Sequence, residues 1–330
     1  VVACPSGPLS DRLPPNATHV RLPRLGLTGQ SGAARLIGAV RMLLRWWSAG
    51  RTLRPHVRDP DSAVIVNSMF ALPALRLAHP RDGVAWLVHD TMTSTKQRAV
   101  TRLARPVVRL AVAVSEATAV PLRAAGFPVA VAHNGVRWPV PQMDVPLHAP
   151  PVIGMLALLT PWKGHSVLLE AAATLPGVEI EFAGGSFPGD DAYVADLRAR
   201  ADQPDLVGRV RFLGHQDPET AMRRWDALVS ASVSPEAGPL NVLEAMSYGL
   251  PVIGTAHGGT VEFLCDGAGL LVPPDDADAL AKAIEQVLSD DLLRSSLAET
   301  GRRRIARSHD INTTAPAMLA ALLPAAGGRG

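Results

Sequence analysis

The sequence predicts an α/β protein of two Rossmann-like, parallel-sheet domains. Three observations carry that expectation. The chain has 330 residues, more than one typical core. Short apolar runs alternate with longer helical patterns, the order of a parallel sheet covered on both faces. A stretch rich in proline, "VRWPVPQMDVPLHAPP", separates two such series and reads as a linker, because so many prolines preclude regular structure.

In the first series the strand-like runs are "VVACP", "THVRLP", "SAVIVN", "GVAWLVH", "LAVAVS" and "VAVAHNG". A long helix is expected between the second and third, from about Gly32 to Arg54. In the second series the runs are "PVIGMLAL", "VEIEFAGG", "VRFLGH", "ALVSAS", "PVIGTA" and "GLLVP". The helical stretches between them are "GHSVLLEAAATL", "DAYVADLRARA", "PETAMRRW", "PLNVLEAMSYG" and "DADALAKAIEQVLSD". The last opens on aspartates suited to N-capping. The expected domains are 1–146 and 147–310. A C-terminal helix and tail, 311–330, are expected to pack back toward the first.

Hydrophobic residues make up 47% and charged residues 19%, which fits a packed globular chain and excludes a disordered one. A net charge of +2 favours no nucleic-acid partner. The charge is uneven: nine arginines before residue 60 face only Asp11 and Asp59. Within them, "RMLLRWWSAGRTLR" has two readings, a packed helix with a wet basic face or a membrane-surface helix over residues 35–58. Cys4 and Cys265 show no metal spacing and are expected as buried, reduced thiols of a cytoplasmic protein. No apolar run reaches the ~18–20 residues that span a bilayer. The chain opens at Val1 inside a strand-like run, so a processed or incomplete N-terminus is expected.

Most strand runs end in small or polar groups: Asn67-Ser68, His89-Asp90, Ser115-Glu116, His133-Asn134-Gly135, Gly184-Gly185, Gly214-His215 and His257-Gly258-Gly259. Ligands of open parallel sheets bind beyond the carboxyl ends of strands. Two such sheets facing across a hinge would pool these residues in one cleft.

The densest chemistry lies in "SPEAGPLNVLEAMSYGLPVIGTAHGG". Pro235, Gly238 and Pro239 make an irregular loop around Glu236, and a helix is expected to start near Pro239 or Leu240. Its N-terminus presents free N–H groups and a partial positive charge, a ready site for a phosphate. Leu240, Leu243 and Met246 sit at core spacing, while Asn241, Glu244 and Tyr248 share another side. Glu244 can accept hydrogen bonds from a diol such as a ribose, and Glu236 from a second polyol. Taken singly, each is equally an acid favoured by the helix dipole. In "LLTPWKGHSVLLEAA", Lys163 stands between a strand end and a helix start, where an ammonium can meet a diphosphate. Alone it reads as a solvated loop lysine.

These segments, with "FAGG", "VRFLGH" and "GTVEFLCDGAGLLVPPDD", resemble the nucleotide-sugar domain of family 4 retaining glycosyltransferases of the GT-B fold. Glu236 and Glu244 match that family's E-x7-E motif, and "VNS…VHD…VSE…HNGV" is similar to its acceptor domain. The resemblance implies two domains facing across a cleft. It implies a nucleoside-diphosphate-sugar donor, with UDP or GDP as carrier, and a carbohydrate or lipid-linked acceptor. It implies a hexosyl transfer with retention, no cofactor and no metal. Lys163 would contact the diphosphate. Glu236, with Ala237, Gly238, Pro239 and Leu240, would hold the donor sugar, and Glu244 the ribose. Gly214 would close the strand end against the base, and His89 would approach the sugar from the first domain.

Two departures qualify the likeness. Ala157-Leu158-Leu159 stands where the family has Gly-Arg-Leu, so one diphosphate cation is absent. The first domain is expected to lack the family's first strand. They keep open a catalytically impaired binding or partner protein, and a nucleotide-sugar epimerase is a further alternative. Asp59-Pro60-Asp61 and Asp276-Ala277-Asp278 resemble metal-binding D-x-D motifs but read as structural by position. Gly267-Ala268-Gly269 is not a dinucleotide fingerprint, and no phosphate-loop motif is present.

Overall fold

The computed structural model describes residues 1–7, 10–26, 33–92, 94–142, 147–187 and 189–325. The chain divides into two compact units. The first is Val1–Val114, Thr118–Ala132 and Ala317–Gly330; the second is Ser115–Ala117 and His133–Pro316.

The first unit contains β1 (Val2–Cys4), β2 (His19–Arg21), α1 (Ala33–Val57), β3 (Ile65–Val66), α2 (Leu72–Ala78), β4 (Val84–Val88), α3 (Thr95–Ala104), β5 (Val108–Ala113), most of α4 (Glu116–Ala124) and β6 (Val129–Val131). A four-stranded parallel sheet runs β3-β4-β5-β6. Strands β1 and β2 form a separate parallel pair. Both faces of β4 are covered, which is why "VAWLV" reads as a continuous apolar run. Trp86 meets Phe127 edge-on at 5.7 Å between ring centroids. Helix α1 buries Met42, Trp46, Ala49, Leu53 and Val57, a stripe at helical spacing. The Trp46 indole N–H donates to the Phe70 carbonyl at 2.8 Å. The helix runs three residues past the expected Arg54, because Pro55 is accommodated inside it.

The second unit contains β7 (Val152–Leu156), α5 (His165–Ala173), β8 (Glu179–Ala183), α6 (Asp191–Ala201), β9 (Val210–Gly214), α7 (Pro218–Met222), β10 (Ala227–Ser230), α8 (Leu240–Tyr248), β11 (Val252–Thr255), α9 (Gly259–Leu264), β12 (Leu270–Val272), α10 (Ala277–Ser289), α11 (Asp291–Arg304) and the start of α12 (Ile311–Ala325). Its six strands are parallel in the order β12-β11-β10-β7-β8-β9. The chain winds outward from β7 to β9, then returns to lay β10 on the other side of β7. That reversal is the topological switch point, where open α/β sheets bind ligands. A buried charge network ties the sheet to its flank. Glu181 on β8 accepts from the Arg224 guanidinium at 2.9 and 2.6 Å, from Arg211 at 3.0 Å and from the Trp225 indole at 3.0 Å. These donors hold its carboxyl below the usual range against the opposing effect of burial.

The units divide before the proline-rich stretch, at 132/133 and not at the expected 146/147. Residues 133–142 are held by the second unit. Val136 N–H donates to the His309 carbonyl at 2.8 Å, and Ile311 N–H to the Val136 carbonyl at 2.9 Å. Val140 is buried, and its carbonyl accepts from Arg302, whose guanidinium lies over the Trp138 ring. Leu322 of α12 is buried with Ala85 and Val112 of the first unit. Cys4 is buried, whereas Cys265, expected to be, is half-buried with its sulfur 3.0 Å from Arg304 Nη1. Asp276 caps α10 by accepting from Ala279 N–H at 2.8 Å, the structural role its position suggested.

Candidate active site

The switch point brings two loops together, one after β7 and one after β10. After β7 the chain passes buried Thr160 into a single tight turn, Pro161–Lys163, and then Gly164. Gly164 has φ +79°, and a Cβ there would overlap the Ala231 carbonyl. Only glycine lets the loop lie this close to the end of β10. Val233 N–H donates to the Trp162 carbonyl at 2.9 Å, closing the two loops on each other.

This seam sets the geometry of the two predicted charges. Lys163 Nζ donates to Glu236 Oε2 at 2.7 Å, with both side chains largely buried. The ammonium also lies 4.1 Å from the Trp162 ring centroid. The Ser232 hydroxyl donates to the other carboxylate oxygen, Glu236 Oε1. Thr255 Oγ1 donates to the Ser232 carbonyl at 2.8 Å, which fixes Ser232 in turn. The backbone of Glu236 is clamped as well. Gly259 N–H donates to its carbonyl at 2.8 Å, and Gly258, at φ +60°, lies so close that a Cβ would overlap the same carbonyl. Ser232, Thr255 and Trp162 were not singled out from the sequence. The available signal was a hydroxyl four residues before Glu236, just past a strand end.

Ala237, Gly238 and Pro239 carry the chain from Glu236 into α8, with Leu240 its first residue. Pro239 stands at the N-cap and supplies no side-chain cap. Asn241 Nδ2 donates to the Leu156 carbonyl at 3.0 Å, anchoring the first turn of α8 to the end of β7. Asn134 Nδ2 donates to the Gly238 carbonyl at 3.0 Å. Leu243 and Met246 are buried as expected, but Leu240 is 48% exposed. The core face of α8 is Val242, Leu243, Ala245 and Met246; Leu240 lies in the first turn, beyond the packed layer. Glu244 follows one turn in and is half-buried. Desolvation, helped by the charge of Asp217, pushes its pKa up to about 7.

Gly214 ends β9 in a left-handed conformation, and its carbonyl accepts from Gly184 N–H at 2.7 Å. Leu158, where the resemblance would put an arginine, is 47% exposed just past β7. His165, at the start of α5, is fully buried against Phe182; burial and the neighbouring Lys163 push its pKa down to about 4. In the first unit, His89 directly follows β4 and is exposed at its edge, and desolvation lowers its pKa while Asp90 opposes the shift.

The family described as glycosyl transferases group 1 matches residues 144–304, which include both charges and the whole E-x7-E segment. That match lies wholly within the second unit's part of the chain. Among similar proteins, the lipopolysaccharide core biosynthesis glycosyltransferase LpsE of Rhizobium meliloti is 36% identical over 166 residues, covering 50% of this chain and 47% of that protein. The phosphatidyl-myo-inositol mannosyltransferase of Mycolicibacterium smegmatis is 37% identical over 155 residues, covering 44% of this chain and 38% of that protein. The matched stretch thus spans less than half the length of either curated relative. Among solved structures, Anabaena HepE in complex with UDP and glucose has a TM-score of 0.72 at 22% identity, covering 89% of this chain and 84% of that one. Sucrose-phosphate synthase from Thermosynechococcus elongatus has a TM-score of 0.75 at 22% identity, covering 92% of this chain and 84% of that one. These likenesses cover most of the chain and identify the GT-B fold that the sequence resemblance implied.

Proposed function

We propose that this protein is a retaining, metal-independent glycosyltransferase that moves a hexosyl group from a nucleoside-diphosphate sugar to an acceptor hydroxyl. The observation that carries the reading is the Lys163–Glu236 pair at the switch point, with Glu236 eight residues before the Glu244 carboxylate on α8, within the stretch that matches the group 1 glycosyl transferases. Departure of a nucleoside diphosphate builds negative charge on the leaving oxygens. An ammonium and the uncapped N-terminus of α8 suit that charge without a metal. In this reading the diphosphate draws Lys163 from its present partner. Glu236, still held by Ser232, then accepts from the sugar hydroxyls. Glu244 accepts from the ribose diol, Gly214 lines the base, and His89 faces the sugar from the acceptor side.

The named relatives act on lipopolysaccharide core and on phosphatidyl-myo-inositol, and HepE was crystallised with UDP and glucose. That supports UDP as the first carrier to try and a carbohydrate or lipid-linked acceptor. The test is nucleotide release from UDP-glucose and GDP-mannose with and without acceptor, followed by assignment of the product anomer by NMR. Retention predicts the donor's anomeric configuration in the product. Nucleotide binding without turnover would instead support a non-catalytic partner, and an isomerised sugar without acceptor would support an epimerase.

A further inference from the structure

Helix α1 has two apolar faces, and only one is used for packing. Inward, Met42, Trp46, Ala49, Leu53 and Val57 are buried. Outward, Ile37, Val40, Leu43, Leu44 and Trp47 are each between 54% and 60% exposed. Ile37, Val40, Leu44 and Trp47 recur at helical spacing, so they form one stripe down the opposite side. Single exposed apolar residues need no explanation, but a contiguous row does.

The charge around this stripe has one sign. From residue 33 to 58 there are six arginines and no aspartate or glutamate. Arg51 and Arg54 continue the outward face, and the Arg51 guanidinium lies 4.8 Å from the Trp47 ring centroid. With Pro55 and Arg58 these residues line a groove of about 620 Å³ at the end of the stripe. Three guanidinium groups around one recess suit a phosphate headgroup, and Trp47 at its rim suits the boundary between headgroups and acyl chains. A nucleic acid would use the arginines but leave the apolar stripe in water. A second copy of the chain would cover the stripe but bring like charges together. An anionic lipid surface satisfies both features at once.

We propose that the outward face of α1, with the arginine groove at its C-terminal end, seats this protein on an anionic membrane surface. The helix lies in the plane of the interface; no described helix is long and apolar enough to cross a membrane. Arg41 and Arg45 flank the stripe toward the headgroups, while Leu43, Leu44 and Trp47 enter the acyl boundary.

Flotation of the full chain with phosphatidylglycerol/phosphatidylcholine vesicles and with pure phosphatidylcholine vesicles tests this without reference to sugar transfer. The expected result is binding to the anionic vesicles, at least tenfold weaker binding to the neutral ones, and release at about 1 M salt, where screening is short-ranged. Replacing Arg51, Arg54 and Arg58 with serine should cost about fivefold in affinity per arginine. Leu44→Gln with Trp47→Gln should abolish the retained binding. Serine at Lys96, Arg98 and Arg102, exposed on α3, should change neither. Circular dichroism melts of each variant confirm that the fold is intact, and the salt series on the parent chain stands even if a variant misfolds. Equal binding to both vesicles, no binding, or equal loss in the α3 control would overturn the proposal. So would a dimer in sedimentation equilibrium that Leu44→Gln with Trp47→Gln dissociates.

Discussion

The two units handle charge in opposite ways. Among the described residues, the second unit buries Glu181, Asp226 and Glu236; Glu181 and Glu236 have the donors described above, and Asp226 accepts from Val152 N–H at 2.6 Å and His148 N–H at 3.0 Å. Among its described residues the first unit buries no carboxylate; its conspicuous charges are arginines on the outward side of α1. A buried carboxylate is stable only when its partners are fixed, so the second unit must be built tightly around its charges. The arginines along α1 make peripheral contacts, Arg58 donating to the His79 carbonyl and Arg45 to the Arg24 carbonyl, both at 3.4 Å. In the proposed function, the second unit orients and stabilises charge, and in the proposed membrane seating the outward face of α1 supplies the contact surface.

The comparison breaks most visibly at Glu181. Glu181→Ala leaves Arg224 and the Trp225 indole without their shared acceptor, and should lower unfolding free energy by about 3–5 kcal/mol in denaturant titration. A change below about 1 kcal/mol would mean that the network is ornamental. A smaller effect is expected at the pair itself. Lys163→Met and Glu236→Gln should each destabilise, and the double variant should recover part of the loss. The double-mutant cycle should give a coupling of about 1–3 kcal/mol.

How much of this was legible beforehand follows from the range of the interactions. The strands were readable because each is a short apolar run closed by small or polar residues, as "SAVIVN" and "VEIEFAGG" show. Helix α11 was not, because its sequence is polar on nearly every side: Leu292 is 84% exposed and Leu297 and Gly301 are its buried residues. Leu240 was assigned to the core by spacing alone, yet the first turn of α8 projects past the layer that spacing assumes. Lys163 and Glu236 were each visible as strand-end groups. Their contact was not, because it depends on β7 and β10 being neighbours, which is a property of sheet order. Ser232 and Thr255 acquire their roles only through that same neighbourhood. On α1 the basic character was legible, while the choice between a wet packed face and an exposed apolar stripe needed to know which side meets α2.

Glu244 sharpens the comparison through pH. Its folded pKa of about 7 lies above the model-compound value of 4.5, so the native state holds an extra proton between those limits. Stability should therefore fall as pH rises from about 4.5 through 7. Glu244→Gln should flatten that slope and raise the melting temperature at pH 8 relative to the parent. Nucleotide binding should show the reverse. A ribose diol needs the ionised acceptor, so affinity should rise with pH through about 7. The glutamine variant should lose about tenfold or more at pH 8 and less at pH 6. Parallel pH profiles for parent and variant would remove Glu244 from the ribose. The smallest effect belongs to the first unit. Arg54→Ser should change unfolding free energy by no more than about 0.5 kcal/mol, since the side chain is exposed and stabilises nothing inside.

The most direct test of the central claim is calorimetric titration of the purified protein with UDP and GDP, repeated for Lys163→Ala and Glu236→Ala. One nucleotide should bind the parent. Lys163→Ala should weaken it by roughly ten- to a hundredfold, the scale of a lost charge-assisted bond. Glu236→Ala should bind free nucleotide nearly as the parent does and lose affinity for the intact sugar donor. Binding of neither nucleotide, or equal UDP affinity in the parent and Lys163→Ala, would contradict the assignment of this strand-end pair as the donor site.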